Sequence, residues 1–376
     1  MCCPRQVARS VPLCVVILAA QVSWGGSPVE DLLRKVADRL EQGQVQEGPA
    51  RGSWPSVGPS GETYSGPAIT GMVCAYKWFG DIRYDACAWR GGYYLIETTD
   101  IQGNVLGDEA YAFLQLSDVY PDGPPPDSPG KVGWPNIWYD AVTHFYVSVR
   151  DPNYEGSTAK YLEYFDDYEP SVITVDLAHH VVASYSVKDV DRTVWRDALV
   201  RHLARVDDDA EFPILALAAA TWALSEIGGL DPNTLVSPEG AGVWDGVTLA
   251  DLPSLLLSQV MPEDGAYPGS LFCRFDHGLD EFGGPEGGYT EDAVFGLLGL
   301  VSVASRLEPG AVRDDFDRAI EVVFDAVLQA VDEDGVVYQH VTQQGDSPFV
   351  YAGELLQASW SVKQYQDAKL AMEQQQ

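Results

Sequence analysis

The chain has 376 residues, of which 46% are hydrophobic and 11% aromatic, so it carries enough apolar surface to bury a core and is not a disordered chain. Asp and Glu number 56 against 23 Lys and Arg, which gives a formal net charge of −33. Phosphate backbones and anionic lipids repel such a polyanion, so nucleic acid and membrane surfaces are excluded as partners.

The first 25 residues have the three parts of a secretory signal peptide. Arg5 and Arg9 carry positive charge, an apolar run follows from Val11 to Ala20, and Ser23 and Gly25 place small residues before a cleavage point. The run is too short for a bilayer, which needs about twenty residues. The sequence therefore predicts a secreted or periplasmic protein with a signal peptide at 1–25 and a single domain at 26–376.

After this segment the chain is predicted to be almost entirely helical. Ser27-Pro28-Val29-Glu30 is a capping box with proline at the first helical position, and it begins a helix that ends near Gln42. Further helices are predicted at 64–79, 81–98, 107–120, 136–150, 156–166, 170–187, 191–205, 212–228, 249–260, 289–306, 311–332 and 348–370. The stretch from Val336 to Val341 is the one predicted β-hairpin.

These helices are of two kinds. Residues 213–224 and 293–304 are apolar nearly all round, so neighbours must cover them on every side. Residues 191–205 and 311–332 have one apolar face. The alternation of the two kinds predicts two concentric rings, with the outer ring covering the inner one.

A degenerate repeat supports this arrangement. Tyr64 is followed by Ala68 and Gly71, and Tyr289 is followed at the same offsets by Ala293 and Gly296. Weaker copies begin at Tyr351 and after Gly133-Trp134-Pro135. Small residues four and seven positions after the Tyr lie on one helix face, where they allow a neighbouring helix to approach closely.

A Gly-aromatic loop, a Tyr and an all-apolar helix, repeated along a helical chain, resemble the α/α-toroid proteins. These include terpenoid cyclases, protein prenyltransferase β-subunits, six-hairpin glycosidases and polysaccharide lyases. The resemblance implies an all-α toroid of six helical hairpins, and it implies an exported protein that acts on or binds an extracellular carbohydrate, as a hydrolase or a lyase. A non-catalytic binding or scaffold protein of the same fold is the alternative. A terpenoid-cyclase-like protein is the third interpretation. It is disfavoured because this chain lacks the Asp-x-Asp-Asp motif, since Val206 stands where the first Asp would be.

The loop before the 289–306 helix contains the densest group of candidate catalytic residues. Asp276 and Glu281 would serve as a general acid and base for glycoside cleavage. In a lyase, Arg274 would neutralise a uronate while His277 or Tyr289 removes a proton. The competing interpretation is a set of helix caps and rim ion pairs, which also applies to Glu291, Asp292, Asp108 and Glu354. Aromatic residues at loop–helix junctions are predicted to bind sugar rings: Trp54, Tyr64, Trp134, Tyr267 and Tyr351.

Other patterns are weaker. Asp176, His179 and His180 share a helix face and are interpreted as a buried hydrogen-bonding group rather than a metal site. Asp207-Asp208-x-x-Glu211 matches a metal-binding pattern that 56 acidic residues produce by chance. We expect no metal, no cofactor and a monomer. Cys74 and Cys87 are open to a disulfide or, as the preferred reading, to buried thiols.

Overall fold

The computed structural model describes residues 27–55, 65–98, 105–120, 136–207, 210, 212–238, 242–265, 267–271 and 288–374. Within these ranges the chain forms thirteen α-helices. They are α1 (Pro28–Gly43), α2 (Ser65–Phe79), α3 (Ile82–Thr98), α4 (Gly107–Val119), α5 (Ile137–Ser148), α6 (Thr158–Leu162), α7 (Pro170–Ser186), α8 (Arg192–Leu203), α9 (Pro213–Ile227), α10 (Leu252–Ser258), α11 (Thr290–Ala304), α12 (Ala311–Gln329) and α13 (Phe349–Glu373).

Six of these helices form a closed inner ring. Helix α2 contacts α4, and the contacts continue through α7, α9, α11 and α13 before α13 returns to α2. Helices α1, α3, α5, α8, α10 and α12 pack outside them, each against one or two inner helices. The predicted all-α toroid of six hairpins is confirmed. Because an outer helix returns the chain between successive inner helices, the inner helices all point the same way.

The two predicted kinds of helix occupy the two rings. All residues of α9 from Pro213 to Leu224 are buried, and α11 is buried from Asp292 to Ala304. Outer helix α1 buries Leu33, Val36, Ala37 and Leu40 on one face, and the Ser27 hydroxyl accepts a hydrogen bond of 3.3 Å from the Glu30 N–H at its start. An amphipathic outer helix needs cover on one side only, whereas an inner helix has neighbours all round.

Gly71 of the repeat marks a close contact between α2 and α13, where it meets Gly353, a glycine outside the repeat offsets. A Cβ added to Gly71 would lie 2.5 Å from the Gly353 Cα, and one added to Gly353 would lie 2.2 Å from the Pro67 carbonyl oxygen. The two backbones therefore meet with no room for a side chain, which explains the small residues on both helices.

A layer of rings fills the middle of the inner ring. Tyr111 of α4, His179 of α7, Trp222 of α9 and Phe295 of α11 contact one another, with ring centroids between 5.1 and 6.2 Å apart. We call these four residues the aromatic layer. It separates the end of the barrel where the inner helices begin from the end where they stop.

The predicted hairpin at Val336–Val341 is wrong. Val337 pairs singly with Val331, and His340 pairs with Tyr289. The Thr290 N–H donates to the Gln339 carbonyl at 2.8 Å, and the Thr290 hydroxyl donates to the Tyr338 carbonyl at 2.7 Å. The segment uses its backbone groups to fix the start of α11, so it has no second strand of its own.

Cys74 and Cys87 are buried free thiols, and burial raises the pKa of each to about 12, so both stay protonated and unreactive. Among the described helices, none has both the length and the apolar content needed to cross a bilayer.

Candidate functional site

Carboxyl groups gather where the inner helices begin. Asp108 lies in the first turn of α4, Glu291 and Asp292 in the first turn of α11, and Glu354 in the second turn of α13. We call these four residues the acidic cluster. Asp292 and Glu354 are 8% and 6% exposed, and Asp108 and Glu291 are partly buried. The positive ends of the six helix dipoles at this end favour negative charge there.

Burial perturbs every member of the acidic cluster. It raises the pKa of Asp108 to about 6 and that of Glu291 to about 7. The pKa of Asp292 is raised well above its usual range, by burial first and by Glu291 second. Burial, followed by the charges of Glu291 and Asp108, raises the pKa of Glu354 well above its usual range. Near neutral pH, Asp108 is therefore the first group to ionise, while Asp292 and Glu354 keep their protons.

Several polar atoms of the acidic cluster are buried and have no protein partner. They are Asp108 Oδ1, Asp292 Oδ1 and Glu354 Oε2. Buried polar atoms are normally hydrogen-bonded, so unpaired ones indicate a place where a ligand or an ordered water completes the bonding.

Aromatic residues flank the acidic cluster. A cavity of about 40 Å³ is lined by Phe212, Leu215, Tyr289, Glu291, Asp292, Gln339 and Tyr351. The Tyr289 ring contacts the Phe212 ring at 5.8 Å and the His340 ring at 5.4 Å between centroids. Burial, with the charges of Glu291 and Glu354, raises the pKa of Tyr351, so its hydroxyl remains a hydrogen-bond donor.

Asp176 holds α7 against the start of α4. Its Oδ1 accepts a hydrogen bond of 2.6 Å from the Gly107 N–H, and its Oδ2 lies 3.6 Å from His180 Nε2. The Tyr146 hydroxyl lies 3.2 Å from the other ring nitrogen of His180. Burial raises the pKa of Asp176 to about 7 and lowers that of His180 to about 3, so His180 is neutral. This confirms the predicted hydrogen-bonding group, and it places Asp108, the next residue after Gly107.

The candidate residues predicted from the sequence fall into three groups. Tyr289 and Tyr351 lie together beside the acidic cluster. A second group lies outside the described residues: Arg274, Asp276, His277, Glu281, Tyr64 and Trp134. Two aromatic candidates, Trp54 and Tyr267, lie elsewhere.

Trp54 belongs to the core rather than to a ligand surface. It is 1% exposed, and its indole N–H donates to the Leu40 carbonyl at 2.7 Å. A ring enclosed in this way has no face for a sugar, so the predicted role of Trp54 is wrong. Tyr267 is partly buried in the turn after α10, and the neighbouring Gly269 packs against the Val322 carbonyl of α12.

Sequence reasoning named the members of the acidic cluster only as possible helix caps. Among the neighbouring acids, Glu109 does act as a cap, because its Oε2 accepts a hydrogen bond of 3.2 Å from the Leu106 N–H. The signal that distinguishes the others is their helices. An acid in the first turns of a helix that is otherwise apolar all round points into a ring interior, not toward solvent.

No group of three or more His, Cys, Asp and Glu residues among the described ones is arranged to hold a metal ion. What the acidic cluster offers chemically is proton transfer, because it combines carboxyl groups that differ in protonation at one pH.

No family model matches the chain, and no curated protein matches its sequence. Two solved structures share its fold. The GH76A α-1,6-mannanase from Salegentibacter sp. HEL1_6 has a TM-score of 0.54 and 10% identity, over 89% of this chain and 99% of that one. An unsaturated glucuronyl hydrolase specific for heparin has a TM-score of 0.55 and 12% identity, over 91% of this chain and 97% of that one. At 10% and 12% identity these two likenesses concern the fold, and they agree with the predicted toroid.

Proposed function

We propose that this protein is an exported glycoside hydrolase that cleaves a carbohydrate at the end of the barrel where the inner helices begin. The observation that carries the proposal is the acidic cluster of buried carboxyl groups with unpaired oxygens, in which burial raises the pKa of Asp108 to about 6 and that of Glu354 well above its usual range. Glycoside cleavage needs such a pair, one carboxyl group as proton donor and one as base or nucleophile. The hydrolase neighbours add support by analogy of fold.

The residues have distinct parts in this proposal. Glu354 donates its proton to the leaving glycosidic oxygen, since its raised pKa keeps that proton available at neutral pH. Asp108 supplies the negative charge that activates water or attacks the anomeric carbon. Burial first, and then the negative charges of Glu291 and Asp108, keep the proton on Glu354.

Tyr289 and Tyr351 fit the role of sugar-binding residues. Their rings lie beside Glu291 and Asp292, where apolar ring faces would pack against a pyranose while the hydroxyl groups bond to its polar edge. Unpaired oxygens of Asp292 and Glu354 would accept hydrogen bonds from sugar hydroxyls.

Export rests on the N-terminal segment, which lies outside the described residues. We infer that cleavage near Gly25 releases a mature chain consisting of one toroid. N-terminal sequencing of the protein recovered from outside the cytoplasm tests this, and an intact Met1 on that protein would contradict it.

A non-catalytic binding protein is the second candidate. The unpaired oxygens of Asp292 and Glu354 also suit it, because they can accept hydrogen bonds from a ligand that is not cleaved. The two proposals differ in what the acidic cluster does, since binding needs hydrogen-bond acceptors but no proton transfer.

The test is incubation of the full-length protein with a panel of neutral and uronate-containing polysaccharides, with assays for new reducing ends and for unsaturated products. We expect new reducing ends, and a loss of kcat of at least about a hundredfold in Asp108→Asn and in Glu354→Gln. The matched controls are Asp118→Asn and Glu373→Gln, which change exposed acids at the far ends of the same helices. Binding without any cleavage would favour the second candidate, and unsaturated products would favour a lyase.

A further inference from the structure

A second cavity lies at the opposite end of the barrel, where the inner helices stop. It encloses about 350 Å³, and Tyr111, Trp222, Glu226, Ser302, Gln364 and Tyr365 are among its lining residues. Tyr111 and Trp222 belong to the aromatic layer, so two members of that layer form part of the cavity wall. The volume is within the range of small-molecule sites.

The polar walls of this cavity mainly accept hydrogen bonds. Glu226 in the last turn of α9 accepts a hydrogen bond from the Ser302 hydroxyl, and its side chain is 41% exposed. The hydroxyls of Ser305 and Ser361 donate to carbonyls of their own helices, at 2.8 and 3.1 Å. These hydroxyl protons are already used, so the oxygens that remain are acceptors and fit a ligand that carries donors.

The electrostatic field in the cavity favours positive charge. The carbonyl ends of α9 and α11 lie here, and each such end carries partial negative charge. The described lining includes the carboxylate of Glu226 and no Lys, Arg or His. A cation in the cavity would also meet the aromatic side chains of Trp222 and Tyr111, whose π-electrons attract cations.

One basic residue competes for Glu226 from outside the cavity. The Arg306 guanidinium donates to the Glu226 backbone carbonyl at 2.7 Å, and lies 3.9 Å from its carboxylate. That longer distance makes a weak ion pair between two half-exposed groups, so Arg306 neutralises the Glu226 carboxylate only in part.

We propose that this cavity binds a small organic ammonium ion, with the positive nitrogen between the Glu226 carboxylate and the rings of Trp222 and Tyr111. The proposal is independent of the proposed hydrolase activity, because the lining of this cavity includes no member of the acidic cluster and no residue of the cavity beside it. The protein would then bind a carbohydrate at one end of the barrel and an organic cation at the other end.

The test is calorimetric titration of the full-length protein with choline and with 3,3-dimethylbutan-1-ol, which has nearly the same shape without the charge. We expect choline to bind at least about tenfold more tightly than the neutral alcohol, because only choline gains the ion pair and the cation–π contact. Equal affinity for both, or no binding of choline, would overturn the proposal.

Three variants locate the site and give effects of opposite sign. Glu226→Gln should weaken choline binding about tenfold, whereas Arg306→Gln should tighten it, since the competing cation is gone. Ala368→Trp places a large ring at the exposed mouth of the cavity and should abolish binding while leaving the acidic charge in place. Glu354→Gln should leave choline affinity unchanged. If Glu226→Gln fails to fold, unchanged affinity in Arg306→Gln and Ala368→Trp would still refute the site.

Discussion

At the scale of single residues, the protein contains carboxyl groups in places where a charge is poorly hydrated. Asp292 and Glu354 are almost fully buried, and each has an oxygen without a partner. A carboxyl group in such a place retains its proton unless a counter-charge is close. The described neighbours of Glu354 that act on its pKa are Glu291 and Asp108, both acidic, so its proton is held more firmly still. Burial therefore outweighs the positive helix ends, which favour the ionised form, and it sets the protonation of this cluster.

The sequence predicted only part of this site. Tyr289 and Tyr351 were found because the repeat aligns them at the start of inner helices. The acidic residues beside them were ambiguous, because an acid in the first turn of a helix is also the common pattern for stabilising its dipole. Which of the two roles applies depends on whether the residue faces the ring interior, and that orientation is a property of the assembled barrel.

Trp54 gives a stability prediction at the residue scale. Trp54→Phe removes the indole N–H that bonds the Leu40 carbonyl and leaves space in a closed core. We expect the free energy of unfolding to fall by about 1–3 kcal/mol, measured by urea denaturation. Trp360→Phe, at a partly exposed ring on α13, is the control and should change stability by less. A loss in Trp54→Phe no larger than in the control would contradict a structural role for Trp54.

At the scale of helices, the repeat predicted the packing better than the chemistry. All the helices expected from periodicity are present, because the alternation of all-apolar and one-sided helices is fixed by burial in two rings. The prediction for the segment from Val336 to Val341 was wrong, since its residues form isolated bridges with Val331 and Tyr289 rather than a pair of strands. Local patterns specify a helix and its buried face, but they leave open which distant segment completes a short pairing.

The contact between α2 and α13 gives a prediction at this scale. Gly353→Ala places a methyl group 2.2 Å from the Pro67 carbonyl, so the two helices must move apart. We expect a loss of about 1–3 kcal/mol in unfolding free energy, even though alanine is the better helix former. Asp367→Ala, an exposed change on the same helix, should stay within about 0.5 kcal/mol of the wild type. Equal stability of the two variants would show that the helices are not in close contact.

At the scale of the whole molecule, the parallel direction of the inner helices makes the two ends of the barrel chemically different. The positive helix ends meet the acidic cluster, and the negative ends surround the cavity with Glu226. The aromatic layer keeps these two environments apart. The resemblance to α/α-toroids predicted the rings, but the contents of each end depend on residues from helices far apart in the chain, and no local pattern links them.

Buried acids also set how stability depends on pH. A carboxyl group whose pKa is raised by folding binds its proton more tightly in the folded state, so its contribution is complete below its unfolded pKa of about 4. That contribution is lost as pH rises through the folded pKa, which is about 7 for Glu291 and well above the usual range for Glu354. The buried His179 and His180 act in the opposite sense, because burial lowers their pKa values to about 4 and about 3.

A comparison of variants separates these effects. Since glutamine cannot ionise, the melting temperature of Glu354→Gln should fall less than that of the wild type as the pH is raised from 5 to 8. Differential scanning calorimetry measures both. The exposed control Glu373→Gln should keep the wild-type slope. Identical slopes in Glu354→Gln and wild type would mean that Glu354 is ionised in the folded protein across this range.

Infrared difference spectroscopy tests the protonated cluster most directly. The spectrum of the wild type minus that of Glu354→Gln is recorded at pH 7, in the region where the C=O stretch of a protonated carboxylic acid is resolved from the bands of ionised carboxylates. We predict a positive protonated-acid band in this difference spectrum. The corresponding spectrum of the wild type minus Glu373→Gln should lack that band. A difference spectrum that contains only ionised-carboxylate bands would show that Glu354 is not protonated at pH 7, and it would contradict the proposed acid catalysis.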